Sequence, residues 1–103
     1  MVPPLSEARS LAAAAVATVT RDSYGRLLAL LAAPGRDIAA AEDALADALE
    51  RALTRWEADG VPGNPQAWVL VVARNRLRDT WRSAGHRLTT PLDENTWEKG
   101  EFV

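Results

Sequence analysis

The sequence predicts an all-α protein, a small bundle of three or four helices. Alanine and leucine supply most of the 48% hydrophobic content, and β-branched runs are few, which favours helices over sheets. Between residues 38 and 56, apolar side chains recur at three- and four-residue steps, the spacing of one helix face. Short segments with glycine and proline separate the apolar runs, and short links join antiparallel neighbours. A chain of 103 residues is expected to form one domain with one modest core.

The first segment is predicted to be helical after a short lead-in. Ser6 is expected to be its N-cap, and Pro34-Gly35 is expected to end it. Gly25 weakens a helix by about 1 kcal/mol relative to alanine, so one long helix and two shorter ones both stay open. Packing of the alanine-rich part on the bundle also stays open, and an exposed apolar side there would favour a homodimer. We divide the chain into a helical arm (1–22), a bundle domain (23–86) and an acidic tail or interdomain linker (87–103).

The second helix is predicted to follow the N-cap Asp37. One face is apolar: Ile38, Ala41, Leu45, Ala48, Leu49, Ala52, Leu53 and Trp56. The opposite face is mainly acidic: Glu42, Asp43, Asp47, Glu50 and Arg51. Glu42 and Asp43 lie in the early turns, where the helix dipole favours anions, so part of this acidity has a structural reason. A solvated face and a docking surface for a cationic partner are therefore both open.

The third helix is predicted to start at Asn64-Pro65, where the asparagine caps and the proline takes the first helical position. Its first half, from Trp68, is apolar, and its end is expected near Ser83 to Gly85. Its second half is basic and contains Arg74, Asn75, Arg76, Arg78, Trp81 and Arg82. Two interpretations follow, a core helix with a solvated basic end or a helix whose basic end binds a polyanion.

The net charge of −2 conceals alternating segments. Residues 37–59 carry seven acids against two arginines, which gives −5, whereas residues 66–88 carry five arginines against one acid, which gives +4. An acidic helix followed by a basic one predicts two different partners, or one partner with two kinds of surface.

Several functional classes fit the composition poorly. With no cysteine and only His86, we expect no metal site, disulfide or histidine-based catalytic centre, and His86 is expected at the surface past a helix end. The apolar run 11–19 is too short to span a bilayer and follows no basic cluster, so we expect a cytoplasmic protein with no membrane partner. No phosphate-binding loop or nucleophile motif occurs, so we expect no enzyme and no cofactor.

Two stretches resemble a known family. Residues 37–49, DIAAAEDALADAL, followed by Trp56, are similar to the acidic second helix of bacterial extracytoplasmic-function sigma factors. Residues 59–68, DGVPGNPQAW, and then ARNR at 73–76 with Asp79 and Arg82, resemble the helix that follows in those proteins. The resemblance covers about residues 23–83 and concerns the second conserved region of the sigma factor. It implies the all-α fold of that region for residues 23–86.

The resemblance also implies a function and site residues. In the family this region docks on the clamp coiled coil of the largest subunit of RNA polymerase core, and it recognises and opens the −10 promoter element through the non-template strand. By position, the polymerase-binding residues are Glu42, Asp43, Asp47 and Glu50. The DNA-binding residues are Asn64, Trp68, Arg74, Asn75, Arg78 and Arg82, with residues 59–64 where a flipped base is held. An anti-sigma protein is a further candidate partner.

Two departures from the family bear on this assignment. Ala46 stands where the family usually has glutamine, which would weaken a polymerase contact. A complete factor also carries a second domain for the −35 element, and the sequence here ends at Val103. Trp68 lies in the apolar half of its helix and is expected to be mainly core, whereas packing and base stacking are both open for Trp81.

Two other functions remain as alternatives. One is a sigma-like protein-interaction module that binds polymerase or a regulator without reading DNA. The other is a small helical enzyme or ligand carrier, which would need an apolar cavity with convergent polar groups.

Overall fold

A computed structural model of the chain describes residues 5–88, with side chains described for residues 6–83. It contains three helices in the order α1 (Leu5–Ala32), α2 (Ile38–Asp59) and α3 (Pro65–Leu88), and the described residues contain no strand. The all-α prediction is confirmed. The expected lead-in before residue 5 and the acidic tail from residue 89 lie outside the described residues.

α1 is one uninterrupted helix of 28 residues, so the choice between one helix and two is decided. Gly25 lies inside this helix, and no atom lies within 4 Å of a Cβ placed there. The glycine destabilises the helix by only about 1 kcal/mol relative to alanine, which does not interrupt it. The expectation that Ser6 caps this helix is wrong, because the helix already includes Leu5. The alanine-rich half packs on the bundle: Ala12 and Val19 are buried in the same core as the rest of the chain.

α2 begins as predicted. The Asp37 side chain accepts a hydrogen bond from the Ala40 N–H at 3.0 Å. The helix ends at Gly60, whose φ of 90° suits glycine and whose N–H donates to the Trp56 carbonyl at 2.9 Å. The predicted apolar stripe is buried along most of its length, but Ile38 is 61% exposed and Leu53 41% exposed. Leu53 follows the buried Ala52 by one residue, a turn of about 100° that carries it off the core face.

α3 also begins as predicted, with Pro65 as its first residue. The Asn64 side chain accepts a hydrogen bond from the Ala67 N–H at 3.1 Å. The helix continues to Leu88, beyond the Ser83–Gly85 end that the sequence predicts, because one glycine raises the free energy of a helix by only about 1 kcal/mol. His86 therefore lies within the helix rather than after it.

The three helices share one core, to which each contributes. α1 and α2 form a hairpin, and α3 packs on both of them. The buried residues on α2 are Ala41, Ala44, Leu45, Ala48, Ala52 and Trp56, and those on α3 are Val69, Ala73 and Leu77. Four of the six buried residues on α2 are alanines. No break in α1 marks the proposed boundary between residues 22 and 23, which stays a prediction.

Candidate functional site

The acidic face of α2 is largely free in solvent. Glu42, Asp43 and Glu50 are exposed. Asp43, Asp47 and Glu50 follow one another at four- and three-residue steps, so they form one row along the helix. Glu42 adjoins this row. The four residues predicted to bind polymerase therefore share one side of the molecule, but they differ in how much of each side chain a partner can reach.

Asp47 differs from the other three acidic residues because it lies between α2 and α3. Its Oδ2 atom is 3.4 Å from Arg51 Nε on the same helix and 3.6 Å from Arg76 Nε on α3. The side chain is 29% exposed, but Oδ2 itself is buried and accepts no hydrogen bond from any described residue. Asp47 thus joins the two helices electrostatically while leaving part of its side chain at the surface.

The basic face of α3 is a row of exposed arginines. Arg74, Arg78 and Arg82 follow one another at four-residue steps and are all exposed, as is Asn75. Within the described part of the chain, none of these three guanidinium groups lies within ion-pair distance of a carboxylate. Val71, 53% exposed, lies on the same side of the helix. The structure therefore brings four of the six predicted DNA-binding residues together on one solvent-facing surface.

Arg76 is separated from that surface by its position on the helix. Residues two apart on a helix point to nearly opposite sides, so Arg76 projects away from Arg74 and Arg78 and toward α2. Its ion pair with Asp47 follows from this placement. Helical spacing alone puts Arg76 on a different side of α3 from Arg74 and Arg78, but only the packing of α3 on α2 shows that Asp47 is its partner.

The other two predicted DNA-binding residues have structural roles as well. Asn64 caps α3 and is exposed. Trp68 is half-buried and packs edge-on against the buried Trp56, with ring centroids 5.3 Å apart and planes at 69°. The expectation that Trp68 belongs mainly to the core agrees with this packing.

Trp81 packs against the turn between α1 and α2. Its side chain is half-buried, and a Cβ placed on Gly35 would lie 2.6 Å from its Cζ2 atom. Trp81 therefore packs within the chain, whereas a stacking role for the exposed part of its ring stays a prediction.

A shallow groove runs between α1 and the start of α3, beside the loop that precedes α3. Arg26 and Leu30 line one side, and Asn64, Gln66 and Leu70 line the other. Arg26 and Leu30 are exposed, and sequence reasoning missed both. No local pattern points to them, because only the packing of α1 on α3 brings them to the loop.

Two features are absent from residues 5–88. Among residues 5–88, no group of three or more His, Asp or Glu side chains is arranged to hold a metal ion. No helix within that range is both long and apolar enough to cross a membrane.

Comparison with known proteins gives one match. No curated protein and no solved structure matches the chain. The family described as Sigma-70 region 2 matches residues 20–87, which is 68 of the 103 residues and includes both charged faces. Region 2 of sigma factors is a transcription-initiation domain that acts in polymerase binding and promoter melting, and it is not a family of enzymes. With its three-helix fold and this match, the chain belongs to the sigma-70 region 2 family.

Proposed function

We propose that the chain connects RNA polymerase core to the −10 promoter element, with α2 facing polymerase and α3 facing DNA. The observation that carries the proposal is the exposed row of Arg74, Arg78 and Arg82, which no described carboxylate neutralises. Guanidinium groups that are not paired within the protein are available to phosphates, and they release condensed counterions when they bind. Asn75 lies beside this row and has the donor and acceptor needed to contact a base edge.

Polymerase docking is assigned to the acidic face of α2. Glu42, Asp43 and Glu50 are exposed and suit a cationic partner, which in this proposal is the clamp coiled coil of the largest polymerase subunit. Asp47 lies at the edge of this face. We expect it to contribute less to polymerase binding than the other three acids, because two arginines of the same chain already lie near its carboxylate.

Promoter opening is assigned to the groove beside residues 59–64. The groove has apolar surface for the ring of an unpaired base, from Leu30 and Leu70. It also has polar groups for the edge of the base, from Asn64 and Arg26. A protein that binds only unpaired bases shifts the duplex toward its open state without hydrolysis, because it stabilises that state alone. Trp68, half-buried at the start of α3, borders the strand that the arginine row would hold.

The DNA part of the proposal is tested with single-stranded DNA that carries a −10 element. We expect Arg74→Ala/Arg78→Ala to lower affinity roughly a hundredfold or more, since two charge-assisted contacts are lost and each is worth about 1.5–3 kcal/mol. The slope of log affinity against log salt should fall by about 1.4, or 0.7 for each lost phosphate contact. Arg9→Ala/Arg21→Ala is the charge-matched control, because both arginines are exposed on α1 and already paired, with Glu57 and Asp22. Equal losses in the two variants would show a general charge effect and contradict the assignment to α3.

The polymerase part is tested by co-elution of the chain with RNA polymerase core. We expect Asp43→Arg/Glu50→Arg to abolish co-elution, because both exposed charges are reversed. The matched control is Glu7→Arg/Asp22→Arg, which reverses two exposed acids on α1. Retained binding by the α2 variant would contradict the assigned docking face.

A protein-interaction module without DNA readout is the alternative outcome of these two tests. It predicts that the α2 variant loses polymerase whereas Arg74→Ala/Arg78→Ala changes neither DNA binding nor transcription. In either case we place the chain in the cytoplasm, where polymerase acts. We assign it to the extracytoplasmic-function subgroup because of the resemblance in residues 37–49 and 59–82. An anti-sigma protein covering the same acidic face is part of this proposal.

A further inference from the structure

We propose that Arg76, although it lies in the basic run of α3, acts on polymerase binding rather than on DNA binding, by competing with the polymerase for Asp47. The inference rests on the proposed docking of α2 on polymerase. Its neighbours Arg74 and Arg78 are proposed to bind DNA, whereas Arg76 is proposed to lower the affinity of the chain for polymerase.

The first argument is placement. Arg76 projects toward α2, and its Nε lies 3.6 Å from Asp47 Oδ2. Arg74 and Arg78, two residues away on either side, project to the far side of the helix. A strand that binds the exposed arginine row therefore lies on the opposite side of α3 from Arg76. The positive charge of Arg76 instead lies at the border of the acidic face.

The second argument is the looseness of the contact. Charge-assisted N–H···O bonds usually measure about 2.7–2.9 Å. Both guanidinium contacts of Asp47 are longer, at 3.4 and 3.6 Å, and its buried Oδ2 accepts no hydrogen bond from a described residue. A buried carboxylate oxygen without a donor is unfavourable. A cation that supplied a well-aligned donor would therefore displace the present contact.

The third argument is that the exchange leaves no buried charge unpaired. When Arg76 moves away, Asp47 keeps Arg51 on its own helix. The Arg76 side chain is already 53% exposed, so its guanidinium can enter water with little further change. An incoming cation on the polymerase then meets a carboxylate with one internal competitor instead of two.

The test measures the affinity of the full chain for RNA polymerase core at low salt. We expect Arg76→Gln to raise this affinity roughly two- to fivefold, the scale of one partly exposed ion pair. Arg76→Lys, which keeps the charge, should stay close to wild type, and Arg21→Gln, which removes an exposed and paired charge from α1, should not raise the affinity. Thermal unfolding of each variant checks that the fold is kept.

Asp47→Asn supplies the second arm. If Arg76 acts through Asp47, Arg76→Gln has no effect on polymerase affinity in the Asp47→Asn background, so the two changes are coupled. DNA binding separates Arg76 from the arginine row: Arg76→Gln should weaken single-stranded DNA binding less than Arg78→Gln does.

The outcomes distinguish the inference from the function on which it rests. If Arg76→Gln lowers polymerase affinity, leaves it unchanged, or raises it equally with and without Asp47, the competition is overturned while docking through α2 stands. If Asp43→Arg/Glu50→Arg also leaves polymerase binding intact, the docking face itself is wrong.

Discussion

The indole of Trp68 meets the buried indole of Trp56 edge-on, with ring centroids 5.3 Å apart and planes at 69°. This is the arrangement that aromatic pairs prefer, and it joins the last turns of α2 to the first turns of α3. The Trp56 Nε1 atom is buried and donates to no described residue, so ring packing rather than a hydrogen bond holds the pair. The pair therefore fixes the start of the helix that carries the arginine row.

Loss of the Trp68 ring is expected to cost stability before it costs recognition. Trp68→Ala should lower the free energy of unfolding by about 2 kcal/mol through lost apolar contact and the lost aromatic pair. Trp68→Phe should cost less than about 1.5 kcal/mol, because it keeps a ring against Trp56. Urea unfolding measures both. If Trp68→Ala were as stable as wild type but failed to bind single-stranded DNA, Trp68 would be a base-stacking residue instead.

The turn between α1 and α2 has no room for a side chain at Gly35. A Cβ there would lie 2.6 Å from Trp81 Cζ2, a ring atom that cannot move without shifting the half-buried indole. We expect Gly35→Ala to destabilise the chain by roughly 1–3 kcal/mol, the range for overpacking. Gly25→Ala is the control: nothing lies within 4 Å of the added carbon, and alanine should stabilise α1 by about 0.4–1 kcal/mol. Shifts of the same sign in thermal unfolding would contradict this account.

The two caps of the bundle can be separated from any role in binding. Asn64→Ala removes the acceptor for the Ala67 N–H and should cost about 1 kcal/mol of stability, as should Asp37→Ala at the start of α2. Asn64→Asp keeps the cap but adds a negative charge beside the groove, so it should preserve stability and weaken DNA binding. Equal DNA affinity for Asn64→Asp and wild type would remove Asn64 from the proposed DNA surface.

The part of α1 before residue 20 is expected to be essential to the fold. Val19→Asp places a charge at a position that is 2% exposed. It should lower the free energy of unfolding by several kcal/mol, which is a large part of the stability of a small domain. Ala17→Asp, two residues earlier on the exposed side of the same helix, should stay within about 1 kcal/mol of wild type. Circular dichroism during thermal unfolding measures both. A folded Val19→Asp variant with an unchanged melting temperature would contradict the core assignment.

The sequence predicts well whatever depends on neighbours along the chain. The Asp37 and Asn64 side chains each accept a hydrogen bond from the backbone N–H three residues later, and both predicted caps are confirmed. The three- and four-residue spacing in residues 38–56 predicts the buried side of α2, and the match to the family over residues 20–87 agrees with the resemblance carried by two short stretches.

What the sequence does not predict depends on contacts between helices. Arg76 and Arg78 belong to the same basic run, yet one pairs with Asp47 and the other has no described ion-pair partner, because α3 presents opposite sides to α2 and to solvent. Arg26 and Leu30 reach the groove beside Asn64 only through the packing of α1 on α3. Periodicity alone says which residues share a face, but not which neighbour that face meets.

Because α1 is continuous, the folded unit is longer than the part of the chain that matches the family: the helix begins at Leu5, whereas the match begins at residue 20. The match begins at residue 20, in the middle of a helix whose earlier residues Ala12 and Val19 share a core with Leu27 and Leu31. Substitutions at the buried positions before residue 20 therefore change the fraction of molecules that are folded, even though these positions are far from either charged face. Variation at the buried positions of this arm would change how much folded protein is present, without altering the two charged faces that we propose to bind polymerase and DNA.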